Sequence, residues 1–232
     1  MHPDSRSIRW LTPIASLFVA TLIISNIIAV KLVTIAGLTL PAAVILFPIT
    51  YIIGDVLTEV YGYARARQVI WTGFFCNLVA VVAIWVAGLL PSVPFWNAGL
   101  YTDPDEAQKA YMAILGFTPR LLVASFIAYL AGEFLNSIVL AKLKVKTRGR
   151  FLWLRTITST VIGQGADSAI FISVAFIGVL PSSLLLSAII SQWLFKVAYE
   201  VLATPLTYLV VNTLKKAEGI DYFDEGTKFR LI

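Results

Sequence analysis

Residues 69–90 read Val-Ile-Trp-Thr-Gly-Phe-Phe-Cys-Asn-Leu-Val-Ala-Val-Val-Ala-Ile-Trp-Val-Ala-Gly-Leu-Leu, 22 positions without a charge. As a helix this stretch rises ~33 Å, enough to cross the ~30 Å hydrocarbon core of a bilayer. Nothing in it offers the polar face that a water-exposed helix needs, so it is read as a transmembrane span.

Working outward, five more apolar runs of comparable length appear: Leu11 to Val33, Leu40 to Leu57, Leu121 to Leu143, Trp153 to Leu180 and Leu184 to Val211. The fold class expected is an all-α integral membrane protein, with residues 1–232 forming a single transmembrane domain of six helices and one long external loop, 91–119. The composition agrees. The chain is 59% hydrophobic and 13% charged, with a mean hydropathy of +0.85, whereas a soluble chain carries about 25% charged residues. The first run extends past twenty residues, too long for a secretory signal core, and is expected to be retained as a helix. In the loop, Thr102-Asp103-Pro104-Asp105-Glu106 is a capping sequence for a short external or interfacial helix.

The net charge of +5 raises the question of nucleic acid, and the placement of the cations answers it. Fourteen of the 18 Lys and Arg residues fall before span one, between spans two and three, between spans four and five, or in the tail. The other side has Lys31, Lys109 and Arg120 at most, beside the acids Asp103, Asp105 and Glu106. By the positive-inside rule both termini are expected in the cytoplasm, and no nucleic-acid partner is expected. Cys76 is the sole cysteine and His2 the sole histidine, so a Ser-His dyad, a His-ligated metal and an intramembrane histidine relay are absent by inventory. No cofactor or metal site is expected, and no enzyme activity.

Ionisable residues within membrane spans are expensive and mark functional sites by default. Span two carries Asp55 and Glu59 four residues apart on one face. Glu59 could pair with Arg65 and Arg67 at the helix end, while Asp55 lies a turn deeper. Span four carries Glu133, Asn136 and Ser137 on a common face; Arg120 is available either to Glu133 or to the outer headgroups. Span five places Gln164, Asp167, Ser168 and Phe171 on one face beside Gly163 and Gly165, which suit close packing or local unwinding. Span six carries Gln192, Lys196 and Glu200 at i, i+4 and i+8, where Lys196 and Glu200 could neutralise each other. The substrate-binding candidates are therefore Asp55, Glu59, Glu133, Asn136, Gln164, Asp167, Phe171, Gln192, Lys196 and Glu200. This excess of acids over cations argues against an anionic ligand. It suits a ligand rich in N–H donors, such as a guanine-like edge whose ring N–H and exocyclic amine meet one carboxylate, or a proton-coupled carrier.

The stretch Phe47-Pro48 to Asp55, continuing through Leu57-Thr58-Glu59-Val60-Tyr61-Gly62 to Ala66-Arg67, resembles the signature of the queuosine precursor transporter family, formerly grouped as vitamin uptake transporters. The similarity continues through Arg120, Ala124-Ser125, Trp153, Arg155, Ser159, Gly163-Gln164, Asp167-Ser168, Phe171, Phe176-Ile177-Gly178, Gln192, Lys196, Glu200 and Pro205, covering roughly residues 10–212. The resemblance implies a multi-pass protein of the cell inner membrane that imports 7-deazaguanine precursors of the modified tRNA base queuosine: 7-cyano-7-deazaguanine, 7-aminomethyl-7-deazaguanine or the queuine base. One departure is visible. Where family members commonly have Gln and Asp in span four, this chain has Glu133 and Asn136, and an acid there would favour a cationic aminomethyl group. Small carriers are commonly homodimers, so a second copy of the chain is a candidate partner.

Two other functions fit a chain of this kind less well. An intramembrane aspartyl protease needs two membrane aspartates, and Asp55 and Asp167 are present, but neither is preceded by Gly-x-Gly. A substrate-binding subunit of an ATP-driven uptake complex would rely on a separate motor, because no Walker motif occurs here.

Overall fold

The computed structural model describes residues 8–35, 38–97, 99–116, 119–178 and 181–231. Six principal helices alternate up and down: α1 (Leu11–Ile28), α2 (Phe47–Tyr61), α3 (Tyr63–Leu89), α5 (Pro119–Lys146), α6 (Leu152–Phe176) and α7 (Ser182–Glu218). The short α4 (Pro104–Leu115) lies between α3 and α5. The backbone N–H groups of Arg9 and Trp10 donate to the Glu218 carboxylate, so the start of α1 and the end of α7 share one end of the bundle.

Among the described residues, five helical segments are long and apolar enough to cross a membrane: α1, α3, the α4–α5 region, α6 and α7. The exception is α2. The apolar run expected as a span over 40–57 starts later as a helix and ends later. Residues Leu32–Ile35 and Leu38–Pro41 pair as an antiparallel hairpin, β1 and β2, with Leu32 opposite Pro41, and a 3₁₀ turn covers Ala42–Ile45. The reason is local. Val33, Thr34, Ile35 and Thr39 are β-branched and favour a strand, which hydropathy alone cannot distinguish from a helix.

Helix α2 is short but central. Ile52, Ile53, Val56, Leu57, Val60 and Tyr61 are all buried, as are Asp55, Thr58 and Glu59 on the other faces. From Thr50 to Tyr61 no residue of α2 is exposed, so the polar residues of this stretch must be satisfied by α5, α6 and α7. The outer helices do face an apolar solvent: Phe75, Val79, Trp85 and Leu89 on α3, and Leu202, Leu206 and Leu209 on α7, are exposed large hydrophobics.

Helices α5 and α6 cross closely at small residues. A Cβ on Gly163 would sit 2.7 Å from the Gly132 carbonyl oxygen and 2.9 Å from Asn136 Cβ, and one on Gly132 would sit 2.9 Å from Asp167 Cβ. Glycine at both positions is what lets two polar helices approach without intervening side chains. Other polar links hold the periphery: Asn26 Nδ2 donates to Asn77 Oδ1 at 2.9 Å between α1 and α3, and Tyr129 Oη donates to the Ile70 carbonyl at 2.9 Å between α5 and α3. In the long loop, the Asp103 side chain accepts from the Glu106 N–H at 2.8 Å and caps α4, which packs on the end of α3 through Gln108 and Tyr111.

Candidate functional site

The polar residues of α2, α5, α6 and α7 separate into two layers. The first lies at mid-bundle. Lys196 Nζ on α7 makes a close ion pair with Asp167 Oδ2 on α6. Glu133 on α5 faces that pair, and its Oε2 lies 3.4 Å from where a Cβ on Gly54 would stand, so the absence of a side chain at Gly54 makes room for it. One turn toward the basic end, Asn136 Nδ2 donates to Asp55 Oδ1 at 2.9 Å, and the Glu200 carboxyl lies within hydrogen-bonding reach of Asp55. Glu133, Asn136, Asp55, Lys196 and Glu200 are each 9% exposed or less; the Asp167 side chain is 20% exposed.

Tyr51 belongs to this layer and was not among the residues singled out from sequence. Its hydroxyl lies close enough to feel Asp167, Glu133 and Glu200. The available signal was its spacing: Tyr51 is four residues before Asp55 and so on the same face of α2.

The second layer is at the basic end, where the C-termini of α2, α5 and α7 meet the N-terminus of α6. Glu59 is fully buried, and its Oε1 lies 2.7 Å from Arg155 Nη2, 2.7 Å from Lys215 Nζ and 3.6 Å from Lys144 Nζ. Lys144 also donates to the Glu59 carbonyl at 2.5 Å and to the Tyr222 carbonyl at 2.7 Å. Asp221 joins from the tail, 2.5 Å from Lys144 and 2.9 Å from Lys215. Burial alone would raise the Asp221 carboxyl, but hydrogen bonds from Lys144 and Lys215 and their charges hold it below its ordinary value. Glu59 thus finds its cations on other helices; Arg67 instead donates to the Arg230 carbonyl at 3.2 Å. Lys144 and Arg155, two of the cations read from sequence as orientation signals, are each 1% exposed and serve as internal counter-ions.

The remaining candidates flank the mid-bundle layer. Gln164 is buried one turn from Asp167 on α6. Phe171, one turn on the other side, is half-buried and packs edge-on against Phe176 with ring centroids 6.4 Å apart. Gln192 is half-buried a turn from Lys196. Arg120 does not serve Glu133: its guanidinium donates to the Val174 carbonyl at 2.7 Å and to that of Ile177, closing the end of α6. Two surface concavities, one along α3 at Leu78 to Leu90 and one between α3 and α4, contain none of these residues.

Chemically, the mid-bundle layer presents four carboxyl groups and one ammonium in a site shielded from water. Such a site binds N–H-rich or cationic groups and rejects anions. Residues 41–210 match the family described as "Putative vitamin uptake transporter". The chain is 31% identical over 195 residues to a "Probable queuosine precursor transporter" of Bacillus subtilis (strain 168), covering 84% of this chain and 81% of that protein. It is 26% identical over 162 residues to a "Queuosine precursor transporter" of Escherichia coli (strain K12), covering 69% and 66%, and 29% identical over 131 residues to a "Probable queuosine precursor transporter" of Haemophilus influenzae, covering 56% and 49%. No solved structure matches the chain. The family match spans most of the helical bundle and every side chain of both polar layers except Lys215 and Asp221, and the chain belongs to the queuosine precursor transporter family.

Proposed function

We propose that this protein is a carrier, not an enzyme, that imports 7-deazaguanine precursors of queuosine, the modified tRNA base, across the cytoplasmic membrane. In this reading α1, α2, α3, α5, α6 and α7 make six crossings of one transmembrane domain, and the basic end with both termini faces the cytoplasm. The observation that carries it is the acid-rich layer of Asp55, Glu133, Asp167 and Glu200 around Lys196, buried where four helices meet in a chain whose relatives are named as queuosine precursor transporters.

The chemistry follows from hydrogen-bond complementarity. Asp167 or Glu133 accepts from the ring N–H and exocyclic amine of the guanine-like edge, a bidentate contact to a charged acceptor. Lys196, released from Asp167 as the ligand takes its place, donates to the ring carbonyl. Gln164 and Gln192 flank this contact, and Phe171 and Tyr51 supply ring faces for stacking. Asn136 holds Asp55 in place. With four acids to one lysine, a cationic aminomethyl substituent is stabilised over a neutral cyano group. Glu59, satisfied by three cations, closes the cytoplasmic end of the path.

The test is uptake of labelled 7-cyano-7-deazaguanine, 7-aminomethyl-7-deazaguanine and queuine base in cells that cannot make queuosine precursors and lack other importers. Expression of the chain is expected to restore uptake of at least one precursor, with the aminomethyl form preferred, and Asp167→Asn is expected to lower it at least ten-fold at unchanged membrane abundance. Failure to import any of the three overturns the function, and full uptake by Asp167→Asn overturns the site.

A further inference from the structure

The binding scheme above gives Asp167, Glu133 and Lys196 contacts to the purine edge and uses Asp55 and Glu200 only for their charge. Asp55 and Glu200 are 1% and 0% exposed, and their carboxyls face each other at hydrogen-bonding reach. Among the described residues neither has a cation within ion-pair distance. Lys196 is held by Asp167, and Arg155, Lys144 and Lys215 converge on Glu59. Asp55 receives one hydrogen bond, from Asn136. Asp55 Oδ2, both Glu200 carboxyl oxygens and the Asn136 amide oxygen are buried acceptors with no donor among the described residues.

Two ionised carboxyls in this position would repel each other with no solvent to screen them, and each orphaned oxygen would forfeit its hydration. A single proton removes the repulsion and pairs two of the orphaned oxygens, because a protonated carboxyl donates to its ionised neighbour, as in other buried carboxyl pairs that titrate as a unit. The orphaned Asn136 oxygen is a separate indication, since it is not an acid and it too waits for a donor. The other charged and titratable groups around the pair are Tyr51 and Glu59 on α2, Glu133 on α5, Asp167 and Arg155 on α6, and Lys196 on α7. The described residues of α1 carry no charge, and the charges of α3, Arg65 and Arg67, lie in its first turns.

We infer that Asp55 and Glu200 form a proton-binding site that couples precursor import to the proton gradient. An O–H bond forms at one of the two carboxyls with a proton taken from water on the outer side and breaks to water on the cytoplasmic side; no other bond changes. The site joins α2 to α7, so its protonation governs whether these helices are drawn together or repelled, while substrate bridges α5, α6 and α7 one turn away. This coupling rests on the import function proposed above.

The test uses the purified full chain in liposomes with 7-cyano-7-deazaguanine, which is uncharged, as the probe. Two modes are measured: counterflow, which needs only binding and exchange, and net accumulation driven by a pH gradient, a sodium gradient or neither, with the membrane potential clamped. One proton per substrate gives about ten-fold accumulation per unit of imposed pH difference. Glu200→Gln supplies an amide donor to Asp55 without a titrating proton, and is expected to lose the response of accumulation to the pH gradient, whatever counterflow remains. Wild-type counterflow without pH-driven accumulation, accumulation driven by sodium alone, or undiminished pH-driven accumulation by Glu200→Gln would each overturn the inference. An infrared arm is independent of any substrate: the wild-type protein is expected to show a protonated-carboxyl C=O band that both Glu200→Gln and Asp55→Asn lose. If wild-type counterflow fails, 7-cyano-7-deazaguanine is not a substrate and the infrared arm alone decides the proton site; a band retained in both variants, or missing from the wild type, overturns it.

Discussion

Adding one methyl group to α6 at two positions, two residues apart, tests whether the α5–α6 crossing sets the geometry of the site. In Gly163→Ala the new Cβ would lie 2.7 Å from the Gly132 carbonyl oxygen, 2.9 Å from Asn136 Cβ and 3.0 Å from the Asn136 nitrogen. Two of these three atoms are backbone, so no rotamer change relieves the clash and the helices must part. Overpacking of this kind costs about 1–3 kcal/mol, and contact with rigid backbone puts the cost at the upper end. In Gly165→Ala the nearest atoms belong to the Trp193 ring, at 3.3 Å or more, and a small tilt of that side chain accommodates the methyl. Both variants gain the same ~1 kcal/mol of helix propensity, so the difference between them isolates the crossing. It should be about 2–3 kcal/mol, or a gap of roughly 4–12 °C in melting midpoint for a chain of this size. Thermal denaturation in detergent, read by intrinsic fluorescence, gives the gap. Because Asn136 carries the contact to Asp55, Gly163→Ala should also lose precursor uptake that Gly165→Ala keeps. Equal midpoints for the two variants, with equal uptake, would refute the close crossing as the element that positions the site.

Other consequences concern the basic end. Glu59→Gln removes the acid shared by Arg155, Lys215 and Lys144 and leaves a fully buried guanidinium uncompensated, a loss of about 3–5 kcal/mol; adding Arg155→Met should recover most of it in a melting cycle. Gly62 has φ 84° and ψ 165°, a region nearly closed to other residues at a cost of about 1–3 kcal/mol, and a Cβ there would fall 2.2 Å from the Tyr222 ring. Gly62→Ala should therefore release the tail, measured as faster proteolytic removal of residues after Glu218. Asp221 is held below its ordinary value of 3.8 by Lys144 and Lys215. A depressed folded-state value means that its stabilisation is complete above the unfolded value and disappears as pH falls through the folded one. The melting difference between wild type and Asp221→Asn should therefore hold constant from neutrality down to that ordinary value and close below it.

The helices that the apolar runs mark most plainly, α3, α5, α6 and α7, have ends within several residues of the expected spans, because a lipid-facing helix must be apolar along its whole length. Residues 32–45 misled for the same reason: Leu, Val, Ile and Thr are equally apolar as strand or helix, and only the pairing of Leu32 with Pro41 decides between them. The site residues were visible one helix at a time, since carboxylates in apolar runs are conspicuous, but their partners were not. Glu59 pairs with Arg155, 96 positions away, and its other ion pairs are with Lys144 and Lys215, not with the neighbouring Arg65 and Arg67. Lys144 and Arg155 looked like membrane-surface charges because hydropathy cannot tell a cation at a helix end from one folded inward over another helix. The tail after Glu218 mixes charged residues with Ile220, Tyr222, Phe223, Phe229 and Leu231 in no helical or strand period. It is ordered by partners: Asp224 Oδ2 accepts from the Tyr63 N–H at 3.0 Å, Tyr63 Oη donates to the Arg230 carbonyl at 2.8 Å, and Phe229 packs on the Tyr63 ring at 5.1 Å.

The central claim is that a buried carboxylate of the mid-bundle layer receives the N–H edge of a deazaguanine. Equilibrium binding of purified chain to 7-aminomethyl-7-deazaguanine and to the analogue lacking only the exocyclic amine tests it most directly. Losing one hydrogen bond to a charged acceptor costs about 1.5–3 kcal/mol, so the analogue should bind roughly ten- to hundred-fold more weakly, and Asp167→Asn combined with Glu133→Gln should abolish that preference. Equal affinity of the wild-type protein for the two compounds would contradict the account.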